Sequence, residues 1–226
     1  MSIFREIVRL WKIEDLLFQA WDESYQMMTL SNEVFNTAIS YLRDGKDIKT
    51  LKNLKKRDQE INAFQKNVRK KVVTHFSISK NVDDLPSGLV LLNIVVDIER
   101  VGDYTKNILD LAINHPNKII SEDILEALCD IENEVLSRFR KTLDAINAQD
   151  EEIAKDLLIT YKKDLVHVSD EIVNKCIAGE IRFDDEAKSV TVALYARYLK
   201  RIGAHLKNIT TTIINPYEYV GYKTPD

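Results

Sequence analysis

The chain of 226 residues is poor in residues that staple or break a fold, with 2 Cys, 6 Gly and 4 Pro. Cys129 and Cys176 cannot build a disulfide scaffold and stand in no zinc-ligand spacing. This excludes the small secreted classes and points to a reducing compartment. A chain of this length buries a core without staples. The apolar run at 89–96 is far shorter than a membrane span and is followed by Asp97 and Glu99. An excess of one charge is lacking too: Lys+Arg 32 against Asp+Glu 36 leaves a formal net charge of -4. No global basic field therefore draws the protein to nucleic acid or anionic lipid, and any such attraction has to be local. Residues 1–11 carry charge throughout, so the expectation is a cytoplasmic protein without a secretory signal. There is no Gly-rich phosphate loop, no nucleophile elbow and no Glu-x-x-His pair. These absences argue against a nucleotide hydrolase, an α/β-hydrolase and a ferritin-like di-iron oxidase.

What remains is long stretches of Leu, Ile, Lys, Glu and Asp at helical spacing, broken near residues 44–47, 83–88, 114–117, 147–150, 178–180 and 215–216. The pattern predicts an all-α protein with helices at 13–43, 48–77, 87–114, 121–147, 150–178 and 184–214. A short amphipathic helix is expected at 2–11. Ser121 and Asp184 supply N-cap chemistry.

Two glycines sit inside predicted helices, where each costs about 1 kcal/mol relative to Ala. Their surroundings match: residues 99–108, Glu-Arg-Val-Gly-Asp-Tyr-Thr-Lys-Asn-Ile, align without a gap on 200–209, Lys-Arg-Ile-Gly-Ala-His-Leu-Lys-Asn-Ile. Asp58 and Asp164 likewise each follow a basic pair. The chain reads as a tandem duplication of a three-helix unit, with domains 1–116 and 117–226. Gly102 and Gly203 then mark places where a neighbouring helix comes close.

Glu99 and Asp103 share a helix face with Leu92 and Val96, so they are expected to be partly buried. Two such carboxylates repel, and either one is protonated or a cation neutralises them. Asp58 and Asn62 form an oxygen-bearing pair at the same spacing on the preceding helix. Two readings stay open. The acids pair with Lys or Arg of a neighbouring helix, or the four side chains hold a hard or borderline metal.

The stretch from Glu99 to Ile108 resembles the Glu-Arg-x-Gly-Asp-His-x-x-Asn-Ile signature of the PhoU family of phosphate-uptake regulators, and the likeness extends over about residues 20–214. The resemblance implies two tandem three-helix bundles related by a pseudo-twofold. It implies a regulator that is not an enzyme, acting as an adaptor on a phosphate transporter at the inner membrane face or on a sensor kinase. It also implies a divalent or trivalent metal ion (iron, zinc, manganese or magnesium) held by Asp58, Asn62, Glu99 and Asp103, with Asn62 where a second acid is usual. In the second unit only Asp164 matches; Val168, Lys200 and Ala204 replace the other ligands and Arg197 replaces an apolar neighbour. That site is expected to be lost, with Asp164 paired to Lys200 or Arg197. No nucleic-acid partner is expected, and a homodimer is compatible with the sequence. The competing readings are a carboxylate-metal enzyme and a helical scaffold or nucleic-acid binder using the basic second helix.

His205 is expected to make a structural hydrogen bond, and His75 and His115 to sit at helix ends on the surface. Helix two is basic, from Lys49 to Lys71, and such a run is a solvated face or a surface for an acidic partner or the inner leaflet. The Tyr-rich segment after Pro216 either packs back on a bundle or meets a partner.

Overall fold

Helical periodicity is realised throughout the computed structural model, which describes residues 15–44, 47–79, 81–114, 122–181, 183 and 186–222. The helices are α1 (Leu16–Asp44), α2 (Ile48–Lys56), α3 (Asp58–Ile78), α4 (Leu85–Asn114), α5 (Glu122–Ala148), α6 (Glu151–Tyr161), α7 (Val168–Ala178) and α8 (Glu186–Ile214). A π-helical segment, Lys162–His167, joins α6 to α7, and 3-10 turns at Val82–Asp84 and Tyr217–Tyr219 flank α4 and α8. No strand occurs among the described residues. The expected helix at 2–11, the caps at Ser121 and Asp184, His115 and the boundary at residue 116 lie outside them.

The ends follow local chemistry. Asp150 Oδ1 accepts from the backbone N–H of Glu152 and Ile153 at 2.9 and 3.0 Å and starts α6. Gly179, at φ 68, ends α7 in the left-handed conformation, and Glu180 N–H returns to Lys175 O at 3.0 Å. Helix α4 begins two residues earlier than expected because Pro86 fits the first turn, where its missing N–H has no partner to lose.

Two expected helices are interrupted, and the core accounts for both breaks. At Arg57 the ladder tightens, with Arg57 N–H on Leu54 O and Glu60 N–H on Arg57 O, each at 3.0 Å. At about 100° per residue Leu51 and Ile61 would be roughly 80° out of phase. A turn with three residues per turn adds about 60° and brings both under the core, where each is 1 % exposed. The π segment does the converse. Its wider turn sets the phase back by about one residue and brings Leu165 into line with Leu157, both buried. Arg138, buried on α5, pins this region: its guanidinium donates to Leu157 O at 2.6 Å and Thr160 Oγ1 at 2.7 Å, and lies over the Tyr161 ring.

Helices α1, α3 and α4 form one bundle, and α5 to α8 with the π segment form the other. The third helices, α4 and α8, pack on each other, and Phe35 of α1 stacks on Phe139 of α5 at 5.9 Å, so a single core runs through both bundles. The segment after Pro216 packs back. Asn215 Nδ2 donates to Tyr219 O and Tyr222 O, each at 2.9 Å, and Gly221 N–H donates to Thr211 Oγ1 at 2.7 Å.

Both glycines are close-approach positions. A Cβ at Gly102 would stand 3.1 Å from Ile61 Cδ1, whereas one at Gly203 would overlap Leu165, which is fully buried. Gly203→Ala is therefore expected to destabilise the protein by about 1 kcal/mol or more, because Leu165 has no free space to move into. Gly102→Ala is expected to cost less, since a gain of about 1 kcal/mol in helix propensity offsets the small shift asked of Ile61. Urea unfolding midpoints of the two variants test this, and equal shifts contradict it.

Candidate functional site

The break at Arg57 makes Asp58 the first residue of α3, where a carboxylate interacts well with the helix dipole. Asn62, one turn on, donates from Nδ2 to Asp58 Oδ2 at 3.1 Å. From α4, Glu99 and Asp103 face the same place, and Gly102 between them keeps the helices close: its Cβ position is 3.9 Å from Asp58 Oδ1. The four side chains singled out in the first unit therefore come together across the α3–α4 contact.

A fifth residue stands among them. Lys106 Nζ donates to Asp58 Oδ2 at 3.1 Å and to Asp103 Oδ1 at 3.0 Å. Arg100, further out, donates to Asp103 Oδ2 at 3.0 Å and lies 3.8 Å from Glu99 Oε2. Burial alone would lower the pKa of the Lys106 ammonium, but its bonds to Asp103 and Asp58 outweigh this and raise it. The Glu99 pKa is raised too, but in an acid this disfavours the charged form. Burial first, then the Asp103 carboxylate and in smaller part Asp58, push its pKa above the ordinary value, and Arg100 opposes this only partly. Asp58 Oδ1 is buried without a hydrogen-bond partner. Among the described residues no three His, Cys, Asp or Glu side chains are arranged as they stand to hold a metal ion. The sequence reading misses Lys106, although it follows Asp103 by three residues and so shares its helix face.

The second unit differs. Lys200 Nζ binds Asp170 Oδ1 and Oδ2 at 2.6 and 2.5 Å, with Arg197 Nη1 3.9 Å from the same carboxylate. The expected pairing of Lys200 or Arg197 with Asp164 is thus corrected to Asp170. Asp164 has no hydrogen bond or ion pair among the described residues. The π segment explains this: Gly203 meets Leu165 and Tyr161 where Gly102 meets Ile61 and Asp58. Tyr161 stands in the place of Asp58, and the wide turn carries Asp164 off that line. Val168 packs against the core and Ala204 offers no donor.

The histidines divide. His205 Nδ1 donates to Asp97 Oδ1 at 2.7 Å, the structural bond expected of it, and Asn208 Nδ2 reaches the same oxygen at 3.2 Å. In the gapless alignment His205 answers to Tyr104 and Asp97 to Tyr198, and Tyr104 packs on Tyr198 at 6.0 Å and on His205 at 5.8 Å. The two units therefore exchange equivalent contacts across the α4–α8 contact. His75, expected at the surface, is buried between Asp15 Oδ1 at 3.3 Å and Asp84 Oδ2 at 2.9 Å. The turn before α4 and the start of α1 fold over the end of α3 and cover it.

The PhoU domain family matches residues 25–112 and again 128–213, one copy per bundle. The chain belongs to the PhoU family. Comparison with curated proteins gives no match. Among solved structures, PhoU from Pseudomonas aeruginosa is similar with 21% identity and a TM-score of 0.77, covering 90% of this chain and 97% of that one. The phosphate transport system regulatory protein PhoU from Streptococcus pneumoniae is similar with 17% identity and a TM-score of 0.73, covering 88% and 93%. Against the PhoU signature, this chain carries Tyr104 where the motif has His, and it spends that position on the contact between units.

Because the Glu99 pKa is raised in the native state, between the ordinary and the raised value the native state binds more protons there than the unfolded chain does. Stability from this group is lost as pH rises from its ordinary value of 4.5 through the raised native value. Glu99→Gln is expected to be more stable than wild type at about pH 7 in chelator, with the advantage vanishing near or below pH 4.5. Urea midpoints across this range check it; a variant less stable at both ends would show that Glu99 is held by attraction.

Proposed function

We propose that this chain regulates phosphate transport as a PhoU-type adaptor, working through protein contacts at the cytoplasmic side of the membrane and not through catalysis. The observation that carries the reading is the duplicated PhoU domain spanning both bundles, supported by the Streptococcus pneumoniae relative's designation as a phosphate transport system regulatory protein. No helix among the described residues is long and apolar enough to cross a membrane. Deleting the gene in its host is expected to leave uptake of radiolabelled phosphate high when external phosphate is abundant. Uptake indistinguishable from wild type overturns the reading.

The same proposal includes a metal ion at Asp58, Glu99 and Asp103, with Asn62 as a neutral donor beside them. The donor set fits a cation. Three carboxylates gather with Lys106 and Arg100, Asp58 Oδ1 lacks a partner, and burial together with the neighbouring Asp103 carboxylate pushes the pKa of Glu99 up. Bound there, a metal supplies positive charge that joins α3 to α4. The chain's own part is to hold the acids in place and to let Lys106 give way, because the ammonium occupies the shared position between Asp58 and Asp103. In the second unit the Lys200 pair with Asp170 leaves no comparable set. Metal content after dialysis against iron, zinc, manganese or magnesium is expected to rise in Lys106→Met, with apparent affinity tighter by tenfold or more. It is expected to vanish in Glu99→Gln with Asp103→Asn and to be unchanged in Lys200→Met. Absence of metal from both wild type and Lys106→Met overturns the metal proposal while leaving the regulatory reading intact.

A further inference from the structure

Residues 48–78, helices α2 and α3 with Arg57 between them, carry nine Lys and Arg residues against two acids, Asp58 and Glu60. Three of the cations have partners: Lys55 on Asp110, Arg57 on Glu33 and Glu60, and Lys71 on Glu23. Both acids are taken, Asp58 by Lys106 and Glu60 by Arg57. Lys49, Lys52, Lys56, Lys66, Arg69 and Lys70 are all exposed and have no ion pair or hydrogen bond among the described residues. Their spacing is regular. Leu51, Ile61, Val68 and Val72 face the core, and the lysines at 49, 52 and 56 and at 66 and 70 recur on the outer side at intervals of three and four. Val73, 61% exposed, continues the outer stripe one turn beyond Arg69 and Lys70, and Ile78, 71% exposed, ends the helix.

We infer that this outer face of α2 and α3 docks on an anionic lipid bilayer, the Lys and Arg side chains meeting headgroup phosphates and Val73 entering the acyl boundary. The inference is independent of the metal proposal and of which transporter is regulated. Cations left without protein counter-charges keep their full attraction for an anionic surface. Val73, exposed among these cations, favours a bilayer over an acidic protein: a bilayer takes both chemistries along a convex helix without shape matching, whereas an aliphatic side chain against carboxylates gains nothing. The rest of the molecule sharpens the choice of face. With a formal net charge of -4, the chain as a whole is repelled by an anionic membrane and approaches only through its basic stripe.

The test is co-sedimentation of the full chain with vesicles of phosphatidylcholine alone and of phosphatidylcholine with phosphatidylglycerol. Wild type is expected to bind the anionic vesicles and not the neutral ones, and to be released as salt rises. Reversing Lys66, Arg69 and Lys70 to Glu is expected to weaken binding by a hundredfold or more, since each cation near the surface contributes about fivefold. Lys141, Lys155 and Lys175 to Glu, the same charge change on the second bundle, is expected to bind much more tightly than that variant. Val73→Ser is expected to lose binding several-fold with no change in net charge. Circular dichroism confirms that each variant is folded, and Gln in place of Glu serves if a reversal is not. Binding to neutral vesicles, no binding to anionic ones at low salt, or equal loss from both triple variants overturns the inference. So does binding to polyglutamate without binding to anionic vesicles, which would assign the face to an acidic protein.

Discussion

The third helix of each bundle has to satisfy three neighbours at once. Helix α4 meets α1, α3 and α8, and α8 meets α5, the α6–α7 segment and α4. Neither helix therefore has a wide solvent face, and a charged residue buried on it must find a partner inside the molecule. Gly102 and Gly203 let the second helices approach closely enough for this to work. Asp97, Glu99, Asp103 and Lys106 on α4, and Lys200, Arg201 and His205 on α8, are then paired across helix contacts or along their own helix.

The two units solve that problem differently, and the difference begins in the backbone. In the first, a tightened turn at Arg57 delivers Asp58 to the α3–α4 contact, and three acids collect there with Lys106 between Asp58 and Asp103 and Arg100 beside Asp103 and Glu99. In the second, the π segment widens the corresponding helix, puts Tyr161 beside Gly203 and leaves Lys200 to reach forward to Asp170. The first unit keeps more negative than positive charge at its centre; the second replaces the cluster with Asp170 held by Lys200 and approached by Arg197. A duplicated sequence has become one acidic cluster and one closed ion pair.

Much of this was legible before any coordinates. Residues such as Leu51, Ile61, Val68 and Val72 recur at helical spacing and lie in the core, and Pro86, Asp150 and Gly179 stand at helix ends. Glu99 and Asp103 were placed on one face by their spacing, and Asp58 and Asn62 met them because antiparallel neighbours in a three-helix unit leave few other arrangements. The burial of His75 is not legible in this way, because nothing local announces that a turn will fold over a helix end and enclose it between Asp15 and Asp84.

By itself the sequence determined the all-helical class, the duplication, the close approach at both glycines and the asymmetry between an acid-rich and an acid-poor unit. These follow from residue type and from periods of three and four, which act over one or two turns. Tertiary structure decided which cation meets which acid: Lys106 with Asp58 and Asp103, Lys200 with Asp170, and His205 with Asp97. Such pairs depend on the rotational phase of one helix against another, to within a few ångströms. That phase was reset at Arg57 and at Lys162–His167 by the need to align Leu51 with Ile61 and Leu157 with Leu165, a demand made by the whole core and not by neighbours along the chain.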